Sequence, residues 1–112
     1  MMDVPGDELA DRVRAMLTLD GEIEEKRMFG TRAFLLDGHI LVGARKGGVL
    51  LVRVDEERGA VLTTRPGVAT AVMGPRTMGT GWLDVASEVL ASDDELAFWL
   101  DVAREDAAAR EH

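Results

Sequence analysis

The chain has 112 residues, no cysteine, and 21 acidic against 13 basic side chains, for a net charge of -8. That length suffices for one self-supporting core, so no structural metal is needed, and the missing cysteines exclude disulfides, thiolate metal sites and a cysteine nucleophile. No apolar run reaches the roughly 18 residues of a membrane span, and the acidic start is unlike a signal peptide, so a single soluble, cytoplasmic domain over residues 1–112 is expected.

Charge is unevenly distributed. Residues 1–25 carry eight acids and two bases, residues 26–76 four acids and nine bases, and residues 77–112 nine acids and two bases. Acidic ends folded against a basic middle attract one another, while the negative total repels phosphate backbones at long range and disfavours autonomous DNA binding.

In chain order, Leu9, Val13, Met16 and Leu17 recur at helical spacing and predict an amphipathic helix from about Gly6 to Leu19, capped by Asp3 or Asp7 and ended by Gly21. Ile23 to Phe29 reads as a short strand. Short apolar runs separated by turn signals follow, a rhythm too dense for helices. Arg32 to Leu36 is a strand, Asp37-Gly38 a hairpin turn, and His39 to Ala44 the next strand. Alternation puts Ile40, Val42 and Ala44 on one face and His39, Leu41, Gly43 and Arg45 on the other.

Val49 to Val54 is apolar at five of six positions, the pattern of a central strand covered on both sides. Asp55-Glu56-Glu57 opens a short helix ending near Thr64, and Arg65-Pro66-Gly67 turns the chain. Val68 to Met73 and Trp82 to Val85 are the fifth and sixth strands, with Gly74 to Gly81 a loop between them. Ser92 to Glu95 is a capping box opening a final helix that buries Leu96, Trp99, Leu100 and Ala103 and frays from Ala107. The fold class is α+β: an antiparallel meander of five to six strands with N- and C-terminal helices packed on it.

Catalytic groups are scarce. Gly74 and Gly79 have Walker-type spacing, but Thr80 stands where that loop needs lysine, so the segment reads as a flexible hairpin. Ser92 is explained as a cap, and His39 with Asp37 as an exposed turn. Neither a catalytic constellation nor a metal or other cofactor is expected.

Arginine dominates the basic middle. Arg32, Arg45, Arg53 and Arg76 are candidates for binding an anion or an acidic partner; the competing reading is ion pairing with the chain's own acidic helices. Two terminal helices cover one sheet face more readily than two. Phe34, Leu41 and Leu51 are therefore candidates for an uncovered apolar face, to be met by a protein partner or by a second copy in a homodimer.

The chain resembles the N-terminal domain of the TfoX/Sxy family. The resemblance rests on Lys26-Arg27-Met28-Phe29-Gly30, the hairpin Ala33 to Gly38, Leu50 to Val54, Arg65-Pro66-Gly67-Val68 and Gly81-Trp82. Thr31 replaces the family's second glycine, and the Gly74 to Gly81 loop is longer than its pattern. The resemblance implies an α+β fold and a non-enzymatic regulatory role through protein contacts, since named members are accessory regulators of competence genes. It also implies a stand-alone domain lacking the helical second domain of full-length members. The alternative is a small-anion or nucleotide-binding domain, possibly an enzyme, using the Gly74 to Gly81 loop and Arg76.

Overall fold

The computed structural model describes residues 3–17, 23–28, 30–73, 76–77 and 79–110. Among the described residues three α-helices and eight strands follow one another as α1 (Val4–Leu17), β1 (Ile23–Met28), β2 (Thr31–Leu36), β3 (His39–Arg45), β4 (Val49–Arg53), α2 (Glu56–Leu62), β5 (Val68–Thr70), β6 (Val72–Met73), β7 (Arg76–Thr77), β8 (Trp82–Val85) and α3 (Asp93–Arg110). Six strands form one antiparallel sheet in the order β1-β2-β3-β4-β8-β5, and β6 with β7 forms a separate ribbon. The fold is α+β, as expected. The meander holds through β4, which is central; beyond it β8 intervenes, leaving β5 at the edge.

Helix α1 starts two residues earlier than the periodicity indicates because Asp3, rather than Asp7, caps it. The Asp3 carboxylate accepts from the Gly6 amide at 3.3 Å and from the Gly47 amide at 3.1 Å, so one side chain closes the helix and anchors the turn before β4. Pro5 sits in the first turn, where its missing N–H costs nothing. The expected helix end at Leu19, the Gly21 cap and Phe29 lie outside the described residues.

The Asp37-Gly38 hairpin forms as the dipeptide predicts, with φ of 53° and 82° at its two central positions. The alternation expected for β3 fails at one point. Phe34 pairs with Val42 but Leu35 pairs with Ile40, leaving Leu41 as an extra, bulged residue. A bulge lets two successive side chains lean the same way, so Leu41 joins Val42 in the core instead of facing away from it.

One side of the sheet is covered by the helices. Leu9, Val13 and Leu17 of α1 and Leu96, Trp99 and Leu100 of α3 form a continuous cluster with Phe34, Leu50, Val52 and Leu83. Each aliphatic side chain buried there contributes about 1.5–3 kcal/mol. On the opposite side, directly paired residues form a row across the sheet: Ala33, Gly43, Leu51, Asp84 and Ala69. That side is not bare. Leu51 is 2 % exposed, Ala33 2 % and Thr31 7 %. Arg45 lies on this side, meets Asp84, and donates to the Val72 carbonyl at 3.0 Å, which ties β6 to the sheet.

Two further boundaries differ from the expectation. The fifth strand breaks after Thr70, where the Ala71 amide donates to the Trp82 carbonyl at 2.8 Å and the chain turns off into β6. The segment expected to be loop thus contains β7, paired through Val72 with Thr77 and Met73 with Arg76. Helix α3 is capped by Ser92, whose hydroxyl accepts from the Glu95 amide at 3.2 Å, and it continues to Arg110 instead of fraying at Ala107. Asp106, buried to 7 % exposure, and a half-buried Ala107 hold its last turns against the domain.

Candidate functional site

Strand β4 ends at Arg53 directly opposite Trp82, the first residue of β8, so both side chains emerge together at one end of the sheet. The Arg53 guanidinium lies over the indole, 5.4 Å from the ring centroid, a cation–π arrangement. Immediately afterwards Asp55 caps α2 by accepting from the Glu57 amide at 3.1 Å. Helix α2 then presses on the turn leading into β8. At Gly59 a β-carbon would overlap the Thr80 carbonyl, so only glycine permits this approach, and the Thr80 hydroxyl donates to the Glu56 carbonyl at 2.8 Å.

The end of α3 closes the other side. Arg58 reaches from α2 to Glu105 at 3.0 Å and to Asp106 at 3.4 Å. Arg110 follows one turn after Asp106. Between these elements lies an open recess of about 610 Å³ lined by Arg53, Arg58, Trp82, Asp106, Arg110 and the Gly79–Gly81 turn. A second recess of about 360 Å³, floored by Leu36, His39 and Ala107, shares Arg53 and Arg110 as its wall. Partial burial, and then the positive charge of Arg53, push the Arg110 pKa down, while Asp106 works the other way.

The predicted site residues separate into three groups. Arg32 and Arg45 are engaged within the chain. Arg32 meets Asp7 of α1 at 3.6 Å, and Arg45 donates from Nη1 to both Asp84 oxygens at 2.9 Å. Of the candidate arginines whose side chains are described, Arg53 alone lines the recess. Arg76 stands on β7, and its side chain lies outside the described part of the structure.

Phe34, Leu41 and Leu51, expected on an uncovered face, are 1 %, 2 % and 2 % exposed. The bulge brings Leu41 into the helix-side core, where Phe34 also packs, and Leu51 is covered on the other side. The apolar face on which the expectation of a homodimer rested is therefore occupied by the chain itself. Among the described residues the exposed large apolar side chains are Val4, Val61 and Val72.

Trp82 and Arg110 were not among the candidates. Trp82 carried a legible signal, an aromatic cross-strand partner for Arg53 at the start of a strand. Arg110 carried none, because its place depends on α3 running to its full length. The recess offers binding groups and little chemistry. Ser92 is a cap, Ser87 and His39 are exposed, and His39 lines only the smaller recess. Among the described residues no group of three or more His, Asp or Glu could hold a metal ion, and no helix is long and apolar enough to cross a membrane.

Three comparisons bear on this arrangement. No curated protein matches the chain. The crystal structure of a protein from Pseudomonas syringae superposes with a TM-score of 0.60 at 11 % identity, covering 83 % of this chain and 93 % of that one, a likeness of fold alone. The sequence pattern of the TfoX N-terminal domain matches residues 15–107, which spans every strand, α2 and most of α3. The chain belongs to the TfoX N-terminal domain family.

Proposed function

We propose that this chain is a regulatory interaction module of the competence-regulator kind, which carries out no chemistry and contacts a protein partner through the Arg53–Trp82 end of its sheet. The observation that carries this reading is the state of Arg53. It is stacked on Trp82 beside an open recess and is engaged by no carboxylate among the described residues, whereas Arg32, Arg45, Arg58 and Arg65 are all ion-paired. Tryptophan and arginine are the residue types that most often anchor protein interfaces. Membership of a family whose named members are accessory regulators supports the regulatory role, and the scarcity of nucleophile and base pairs supports action by contact.

Affinity capture from the source cell with the purified chain tests it. A specific partner should be retained by the native chain and by Arg27→Gln, and its recovery should fall about tenfold or more with Arg53→Gln or Trp82→Ala. A partner held equally by all four proteins would place the contact elsewhere.

A further inference from the structure

We propose that Arg53 and Arg110 together form a seat for the phosphate of a small phosphomonoester, whose organic group lies in the 610 Å³ recess beside Trp82. The inference stands apart from the partner reading, since it concerns the isolated chain, and either can fail without the other.

The starting point is the use of arginine. Among the described residues Arg12, Arg14, Arg32, Arg45, Arg58, Arg65 and Arg104 each meet a carboxylate within 4 Å. Arg53 and Arg110 do not, and yet they line the same two recesses. Arg27 shares that lack but stands apart on the edge strand β1. A cation near the C-terminal end of α3 gains from the helix dipole, which accounts for an arginine at 110 but not for its lining both recesses together with a second one. Two guanidinium groups lining the same recesses repel; partial burial first, and then the charge of Arg53, lowers the Arg110 pKa. An oxyanion between them removes the repulsion.

The number of donors selects the anion. Each guanidinium presents a planar fork that two oxygens can satisfy. One carboxylate fills one fork; a phosphate monoester has three terminal oxygens and two negative charges at neutral pH, which suit two forks and two positive charges. The remaining lining separates a mono- from a polyphosphate. Asp55, Glu56 and Asp106 add three carboxylates to the larger recess, and a chain of net charge -8 disfavours long polyanions. The recess volume is within the range of pockets for small organic ligands, and the exposed part of the Trp82 indole gives a planar group a surface.

Amide chemical-shift titrations of the full chain with phenyl phosphate, inorganic phosphate and benzoate test the assignment. Phenyl phosphate should give saturable shifts centred on Arg53, Trp82 and Arg110, inorganic phosphate should bind more weakly and compete, and benzoate should bind at least about tenfold more weakly than phenyl phosphate. Arg53→Gln and Arg110→Gln should each weaken phenyl phosphate about tenfold or more, with Arg27→Gln unchanged; the same spectra verify that each variant is folded. Absence of saturation with phenyl phosphate, equal affinity for benzoate, or unchanged binding in both glutamine variants would overturn the proposal.

Discussion

Arg45 and Asp84 face each other across β4, the strand that lies between their own, with one guanidinium nitrogen 2.9 Å from each carboxylate oxygen. The same guanidinium holds the Val72 carbonyl at 3.0 Å, so one side chain links β3, β8 and β6. Both partners are about three-quarters buried, with side-chain exposures of 22 % and 25 %, and removing either leaves the other short of its counter-charge.

Replacing Arg45 by methionine should therefore destabilise the chain by about 2 kcal/mol in urea unfolding. In a double-mutant cycle with Asp84→Asn the coupling should be about 1–2 kcal/mol. Additivity within error would mean that the two charges are independently solvated.

Gly59→Ala separates local propensity from packing. Alanine is favoured over glycine inside a helix by about 1 kcal/mol, so propensity alone predicts stabilisation. The added carbon would overlap the Thr80 backbone carbonyl, which no side-chain rotation relieves. The expected result is a net loss of about 2 kcal/mol or more in thermal or urea unfolding. A more stable variant would show that α2 and the β7–β8 turn are not in contact.

Leu51 tests whether the side of the sheet away from the helices is covered. Leu51→Asp should cost about 4 kcal/mol or more, because a carboxylate there has neither water nor a partner, and Leu51→Ala about 2–4 kcal/mol. Wild-type melting of the aspartate variant would place position 51 at the surface.

Trp99 is fully buried, and its indole N–H has no hydrogen-bond partner among the described residues. Phenylalanine removes that unsatisfied donor together with part of the ring. Trp99→Phe should thus cost only about 1–2 kcal/mol, against about 3–5 for alanine, by urea unfolding. A phenylalanine variant as unstable as the alanine one would show that the N–H is satisfied in solution.

Most of the architecture was legible where the signal is local. Asp37-Gly38 specified its hairpin through the positive φ it tolerates, the apolar run from Val49 to Val52 marked the centre of the sheet, and Ser92 marked the start of α3. What escaped depends on neighbours distant in sequence. The Leu41 bulge is a mismatch between two strands, and neither strand alone shows it. The ribbon of β6 and β7 depends on Arg45 gripping Val72, and the length of α3 on Asp106 and Ala107 finding partners.

The candidate site was legible only in part, for the same reason. A one-dimensional pattern marks arginines as a group, but whether each is consumed by an internal carboxylate is a question of three-dimensional pairing. Arg32 and Arg45 were consumed; Arg53 was left. The apolar candidates failed because the bulge draws Leu41 into the helix-side core beside Phe34, while Leu51 is buried on the opposite side of the sheet by the chain itself.

Site-specific photo-crosslinking in the source cell decides whether the Arg53–Trp82 end meets a partner, with the crosslinking residue placed in turn at Glu56 and Ala109, exposed positions that line the recess, and at the exposed Val61 of α2. One and the same partner protein should be captured from positions 56 and 109 and not from 61. Capture of that partner from position 61 with positions 56 and 109 silent would contradict a contact at this end of the sheet.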